Sequence, residues 1–178
     1  SAAEIAAALK AGVKCINVES IAELHKINRV ATELGLRAPI SLRVNPDVDA
    51  QTHPYISTGL KGNKFGIAYH EVLKTYREAS LLSQIDVVGI DCHIGSQITT
   101  TAPYLDALDK VLDLVEQLKK EGIVIHHLDL GGGLGIAYSD ETPPDITDFT
   151  NTLLNRVAER GFGHLDVVLE PGRSLVGN

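Results

Sequence analysis

The sequence lacks several features that would place it in other protein classes. It has no methionine and no tryptophan, and aromatic residues make up only 4% of its 178 residues, so aliphatic side chains must build the core. No run of about 18 apolar residues is present to cross a bilayer. With 16 basic against 23 acidic residues and a formal charge of −7, the chain lacks the basic surface that nucleic-acid binding requires.

Cysteine is scarce, and no targeting segment is evident. Cys15 and Cys92 lie far apart, without the spacing of a zinc site or of a disulfide framework. The first twelve residues have no basic segment and are typical of a helix rather than of a signal peptide. We therefore expect a cytoplasmic protein. Because Ser1 opens directly into helical sequence, we also expect the chain to be part of a longer one.

Apolar residues make up 44% of the chain, a proportion typical of a globular domain. Their spacing alternates between the helical and the extended period, which predicts five helix–strand pairs. The predicted helices lie at about 2–11, 21–34, 69–82, 101–120 and 146–160, and the strands at about 15–18, 40–44, 85–92, 123–130 and 165–169. Ser20 and Glu23 predict a capping box at the second helix.

Continuous apolar strands that alternate with helices are typical of a parallel sheet. The pattern leaves two architectures open, a doubly wound open sheet and a (β/α)8 barrel. In both, ligands bind beyond the carboxyl ends of the strands. Polar residues stand at all five of these ends, at Glu19, at Arg43 and Asn45, and within 93–97, 129–135 and 170–174. We therefore expect one site at this rim.

The segment LDLGGGLGI follows a predicted strand with three glycines, Gly131, Gly132 and Gly133. Successive backbone amides in such a turn can form a concave site for phosphate. The segment is not a dinucleotide fingerprint, because Ile136 stands where the last glycine is needed, and no P-loop occurs. The alternative is a tight strand-to-loop turn without a ligand.

Two further segments carry ionisable groups at strand ends. In HIGSQ, His93 could stack on a ligand or transfer a proton, and Ser96 could approach a phosphate; the alternative is a structural histidine. Asp91 and His93 lack an obvious third ligand, so we expect no metal. In EPGRS, Glu170 closes a buried strand and Arg173 offers a planar fork for an anion; the alternative is a structural pair of these two residues.

Together these groups suit a phosphorylated heteroaromatic cofactor. The glycine turn would hold a phosphate, the imidazole would face a ring, and a carboxylate would face a ring nitrogen. Pyridoxal phosphate fits best, because its catalytic power depends on a carboxylate that keeps the pyridine nitrogen protonated.

Five segments of the chain resemble the motifs of one enzyme family. They are RVNPDVDAQTHPYISTG, NKFGI, HIGSQI, LDLGGGLGI and EPGRSLVGN, in that order. Over essentially its whole length the chain resembles the pyridoxal phosphate-dependent decarboxylases with an alanine racemase-like barrel, and within them the diaminopimelate decarboxylase branch. The resemblance implies decarboxylation of meso-2,6-diaminopimelate to L-lysine and CO2 in lysine biosynthesis. The alternatives are a related ornithine, arginine or carboxynorspermidine decarboxylase, or a non-catalytic phosphate- or cofactor-binding fragment.

The resemblance also implies an α/β fold, a partial (β/α)8 TIM barrel with five of eight units, strands four to eight. In the family a β-rich C-terminal domain follows the barrel, and the enzyme is a homodimer. Neither the family's Schiff-base lysine motif, of the type Y-A-x-K-A-N on the first strand, nor the C-E-S segment of its C-terminal domain occurs in this sequence. We therefore expect residues 1–178 to be the C-terminal part of the cofactor-binding barrel domain and to be inactive alone.

Residue roles follow from the same resemblance. The catalytic pair would be His93, on the ring face, and Glu170, at the pyridine nitrogen. The cofactor-binding set would comprise His93, Ser96, Gly131, Gly132, Gly133, Glu170, Gly172, Arg173 and Arg43. Arg173 would also contact the substrate carboxylate, and Lys64 would reach the dimer interface.

Overall fold

The computed structural model describes residues 1–48 and 65–177. The helices are Ala2–Ala11 (α1), Ile21–Leu34 (α2), Val72–Leu81 (α3), Ala102–Lys120 (α4), Ile146–Glu159 (α5) and Gly172–Val176 (α6), with a 3-10 turn at Tyr69–Glu71. The strands are Ile16–Val18 (β1), Ala38–Asn45 (β2), Ile67–Ala68 (β3), Ile85–Cys92 (β4), His127–Asp129 (β5) and Asp166–Val168 (β6). The predicted order of elements is confirmed, although β5 is shorter than the predicted 123–130 because only three of its residues pair with its neighbours.

The strands form one sheet in the order β1, β2, β4, β5 and β6, and all pairings are parallel. The short β3 pairs with the carboxyl end of β2, apart from this sequence of strands. Each of the other strands lies beside the next one along the chain. A doubly wound sheet would instead reverse its order at a switch point, so the strand order supports the predicted partial barrel and excludes the open-sheet alternative.

Alternate residues of β2 serve opposite faces of the sheet, as the pleat of a strand requires. Ile40 and Leu42 are fully buried in the apolar core that the sheet shares with the helices. Ser41 and Arg43 face the other way: Ser41 donates to Asn17 on β1, and Arg43 donates to Glu19, the residue after β1. This second face, the concave interior of the barrel, is therefore the polar one.

An irregularity in β4 sets which of its residues face that interior. The register between β2 and β4 shifts by one residue, so that Ile40 pairs with Val87 whereas Ser41 pairs with Gly89. A shift of one residue moves the following side chains to the opposite face. Gly89 then lies against the ring of His127, which would stand 2.2 Å from a β-carbon at that position.

The start of α2 fixes the end of β1. Ser20 accepts a hydrogen bond from the Glu23 amide at 3.2 Å, as the predicted capping box requires. The carboxylate of Glu23 does not return to the Ser20 amide but accepts one from the Glu19 amide at 2.8 Å. The predicted box is thus half correct, and its second half holds Glu19 at the rim.

None of the helices in residues 1–48 and 65–177 has the length and apolar character needed to cross a membrane.

Candidate functional site

The carboxyl ends of the five strands gather at one rim, where two cavities adjoin. The first has a volume of about 370 Å³ and is lined by Asn17, Glu19, Arg43, Asp91, His93 and Glu170. The second has a volume of about 460 Å³ and is lined by His93, Ser96, Gly132, Gly133, Tyr138, Glu170, Gly172, Arg173, Val176 and Gly177. His93 and Glu170 line both, so they stand where the cavities meet.

The structure therefore brings together most of the predicted site residues. Of the predicted set, Gly131 lines neither cavity; it lines a third, smaller and apolar cavity of about 140 Å³. Lys64, the predicted interface residue, lies outside the described residues, as does the whole THPYISTG segment, residues 52–59. Their roles stay predictions.

Each glycine of the turn permits a close approach of neighbouring backbone. A β-carbon on Gly131 would stand 2.4 Å from the Cys92 carbonyl oxygen, and one on Gly132 would stand 2.2 Å from that of Glu170. One on Gly133 would stand 2.1 Å from the carbonyl oxygen of Gly95. The turn is thus wedged between the ends of β4 and β6, and no larger residue fits without moving them.

The predicted phosphate nest of three amides needs correction. The Gly131 amide donates to Oδ1 of Asp129 at 2.9 Å, and the Gly132 amide donates to Nδ1 of His93 at 3.2 Å. Two of the three amides therefore have acceptors within the chain, as in the alternative of a structural turn. The Gly133 amide donates to no other described residue, and Gly133 lines the larger cavity.

His93 is held at the centre of the rim by that bond from Gly132. Burial lowers the pKa of His93, the positive charge of Arg43 lowers it further, and Asp129 and Glu19 oppose the change. The imidazole is therefore biased toward its neutral form, in which one ring nitrogen donates and the other accepts.

Glu170 differs in one respect from its prediction. The sequence suggested a buried carboxylate, but the residue is exposed, because β6 is the edge strand of the described sheet. Partial loss of hydration nonetheless raises the pKa of Glu170; Asp129 raises it further and Arg43 lowers it. A cation placed beside Glu170 would stabilise the ionised form of its carboxylate.

The alternative of a structural Glu170–Arg173 pair is wrong: within the described residues, no ion pair joins the two. Nη2 of Arg173 donates to the Ser96 hydroxyl at 3.1 Å, and Nη1 donates to the hydroxyl of Tyr138. The guanidinium also lies 5.6 Å from the centre of the Tyr138 ring. Arg173 is thereby turned toward the larger cavity.

Buried donors that lack an acceptor indicate whether the larger cavity suits a phosphate. Nε of Arg173 and the hydroxyl of Ser174 are buried without a hydrogen-bond partner in the described part of the chain. Buried donors are rarely left unpaired, since each costs free energy. An anion beside Ser96 and Arg173 would supply acceptors, so the residues present fit a phosphate group.

Three residues that line the smaller cavity, Asn17, Glu19 and Asp91, were not in the predicted set of site residues. Nη1 of Arg43 donates to Oε1 of Glu19 at 2.5 Å, and Oε2 of Glu19 accepts from the Gly66 amide at 3.0 Å. Burial and the neighbouring Asp129 raise the pKa of Asp91 to about 8, so Asp91 holds a proton near neutral pH. Oδ1 of Asp91 is buried and has no hydrogen-bond partner among the described residues.

A simple sequence signal could have found these interior residues. On a strand, residues two apart share a face. The positions two before the rim residues Glu19, Arg43, His93 and Gly131 are Asn17, Ser41, Asp91 and Asp129. All four are polar, which indicates a polar barrel interior below the site.

Comparisons with known proteins place the chain in a family. Residues 1–177 match the family model described as pyridoxal-dependent decarboxylase, pyridoxal binding domain. The chain belongs to this family. Membership confirms the predicted pyridoxal cofactor and the predicted barrel.

Several relatives with more than half of their aligned residues identical to this chain are diaminopimelate decarboxylases. The chain is 55% identical to the diaminopimelate decarboxylase of Haemophilus influenzae over 98% of its own length, and 57% identical to that of Pseudomonas aeruginosa over 96%. It spans 42% and 40% of those proteins, respectively. A crystal structure of Helicobacter pylori diaminopimelate decarboxylase complexed with L-lysine matches with a TM-score of 0.92 and 41% identity, over 99% of this chain and 44% of that one.

Proposed function

We propose that the protein containing this chain decarboxylates meso-2,6-diaminopimelate to L-lysine and CO2 with pyridoxal phosphate. The observation that carries the proposal is the convergence of an anion site, an imidazole and a carboxylate on two adjoining cavities at the strand ends. The names of the relatives, one of them seen with L-lysine, support this substrate. Because the chain spans less than half of those proteins, the activity is proposed for the whole protein.

The phosphate would be held at the end of the larger cavity. Arg173 and Ser96 supply a cation and a hydroxyl at this cavity, and Nε of Arg173 is a further donor without a partner among the described residues. The Gly133 amide adds a backbone donor at the same cavity. Gly172 would contribute by leaving open space at the cavity, and Gly131 and Gly132 would contribute indirectly by letting the turn pack against the ends of β4 and β6.

When bound, pyridoxal phosphate supplies a cationic ring that draws electrons from the carbon losing CO2. The Glu170 carboxylate would accept a hydrogen bond from the ring N–H, and its negative charge would keep the proton on the ring nitrogen. Arg43, paired with Glu19, would order the site from the opposite side. His93 would cover a ring face and exclude water.

The substrate has two carboxylates and two amines, and only one carboxylate is lost. A C–C bond to that carboxylate breaks, CO2 leaves, and a proton takes its place on carbon. We propose that Arg173 contacts a substrate carboxylate, since a guanidinium has five donors and only two of its nitrogens are engaged here. We further propose that the whole protein is a cytoplasmic homodimer, with Lys64 at the interface.

The test uses the full-length protein with pyridoxal phosphate and meso-diaminopimelate. Glu170→Gln keeps the shape of the side chain but removes its charge. We expect cofactor binding to persist and CO2 release to fall by about 10²-fold or more, the loss typical of removing one electrostatic contact to a developing charge. Glu33→Gln, an exposed acid on α2, is the matched control and should retain full activity.

Two outcomes would contradict the proposal. Full activity of the Glu170→Gln variant would show that this carboxylate does not act on the cofactor. An unmutated protein that releases CO2 from ornithine or arginine but not from diaminopimelate would show a neighbouring specificity instead.

A further inference from the structure

A buried carboxylate below the site has no role in the proposed function. Asp129 ends β5 and is only 5% exposed. Its Oδ1 accepts the Gly131 amide at 2.9 Å, and its Oδ2 accepts from Nδ2 of Asn17 at 3.4 Å. Oδ1 of Asn17 in turn accepts from the Ser41 hydroxyl at 2.7 Å. Two hydrogen bonds therefore hold this carboxylate, one from the glycine turn and one from Asn17 of β1, which Ser41 of β2 holds in turn. The carboxylate also fixes the first amide of the glycine turn.

The turn then acts directly on His93. A β-carbon on Gly131 would stand 3.1 Å from Cα and Cβ of His93, so the two backbones are packed together. The next amide, of Gly132, donates to Nδ1 of His93. A ring nitrogen that accepts a hydrogen bond carries no proton, so a neutral imidazole in this position carries its proton on Nε2.

We propose that Asp129 is a positioning residue: by holding the Gly131–Gly132 turn, it keeps His93 in the neutral form whose single ring proton is on Nε2. The inference rests on the proposed function in one respect: the role of this tautomer in the reaction depends on the same imidazole covering the cofactor ring. In this form His93 offers one N–H donor, at Nε2, and no positive charge. It can therefore give up a proton only from Nε2. Because it is uncharged, it does not repel the cationic ring of the cofactor that Glu170 would stabilise.

The charges around His93 are consistent with this form. Arg43 faces it from β2, Asp91 from β4 and Asp129 from β5, and Glu19 and Glu170 face it from the ends of β1 and β6. Burial and Arg43 favour the neutral ring, whereas Asp129 and Glu19 favour the cation. Protonation of Nδ1 would also set an N–H against the Gly132 amide, so the backbone adds a penalty that charges alone do not supply.

The test measures the tautomer in the full-length protein labelled with 15N-histidine. Long-range 1H–15N correlation distinguishes a proton on Nδ1, a proton on Nε2, and the imidazolium, and the His93 signal is the one lost in a His93→Gln variant. We expect the pattern of the Nε2–H form at pH 7, with and without pyridoxal phosphate. A proton on Nδ1, a mixture of tautomers, or an imidazolium would overturn the inference, and this measurement needs no variant at Asp129.

Variants then isolate the part played by Asp129. Asp129→Ala removes the acceptor of the Gly131 amide, and we expect a mixture of His93 tautomers. Asp129→Asn retains an amide oxygen that can accept the same bond, and it should restore the single form. Asp106→Ala, an exposed acid on α4, is the matched control and should change nothing. An Asp129→Ala protein that folds and keeps the Nε2–H pattern would show that Asp129 does not position the ring.

Failure of the inference and failure of the proposed function give different results. If pyridoxal phosphate does not bind but the Nε2–H pattern is seen, the proposed function fails and the positioning role stands. If pyridoxal phosphate binds and CO2 is released while His93 carries its proton on Nδ1, the inference alone is overturned.

Discussion

Replacing Gly132 by alanine tests the close packing of the glycine turn, which follows β5, against the end of β6. The added methyl would lie 2.2 Å from the carbonyl oxygen of Glu170 and 3.2 Å from its carbonyl carbon. Both are backbone atoms, so no side chain can rotate to relieve the contact. The end of β6, and Glu170 with it, must move away from the turn.

The expected cost follows from the geometry of that contact. Overpacking of a tight interior costs about 1–3 kcal/mol, and a backbone clash should reach the upper part of this range. Each kcal/mol lowers the melting temperature of a domain of about 150–250 residues by about 2–4 °C. At about 2–3 kcal/mol we therefore expect a fall of about 4–12 °C, together with weaker binding of pyridoxal phosphate because Glu170 is displaced.

The assay compares thermal unfolding of the full-length protein with and without pyridoxal phosphate. Gly163→Ala is the matched control, since a β-carbon there meets only ordinary contacts at 3.6 Å with Ala158. Its melting temperature should stay within about 1–2 °C of the unmutated protein, as for most surface substitutions. Equal melting temperatures for the Gly132→Ala and Gly163→Ala proteins would refute the close contact between the turn and β6.

Two further predictions concern the polar groups around the cavities. Because burial and Asp129 raise the pKa of Asp91 to about 8, folded protein keeps a proton that the unfolded chain loses above about pH 4, so stability falls as pH rises from about 4 to 8. Asp91→Asn should remove that fall, measured as urea midpoints from pH 5 to pH 9. Tyr138→Phe removes a hydroxyl that accepts from Arg173 but keeps the ring; titration should show pyridoxal phosphate binding weakened less than about tenfold, the loss expected for one hydrogen bond.

Features that depend on local sequence were predictable. The ends of α1 and α2 fall where Gly12 and Gly35 adopt left-handed backbone, a conformation that glycine alone adopts without cost. The strand β4 has the predicted bounds, Ile85–Cys92, because a run of apolar residues between turn residues has few other readings. The position of the site at the rim was also predictable, because parallel strands place their carboxyl ends at the same edge of the sheet.

Features that depend on which strands are neighbours were not predictable from one sequence. The burial of Glu170 was overestimated, because the pattern of β6 resembles that of a central strand whereas its position is at the edge of the described sheet. The acceptors of the Gly131 and Gly132 amides lie on the side chains of Asp129 and His93. One of these is distant in sequence, so only the fold could show that the turn already has partners.

The imbalance of charge in the smaller cavity connects the site to its ligand. Glu19, Asp91 and Glu170 line it, and among its described lining residues Arg43 is the one permanently charged cation. Burial is the largest cause of the raised pKa values of Asp91 and Glu170, and the negative charge of Asp129 adds repulsion to each. A cationic ring nitrogen beside Glu170 would relieve that repulsion, so the ring should bind its proton more tightly in the site than in water. By linkage, the cofactor should then stabilise the folded protein most at a pH where these acids are ionised.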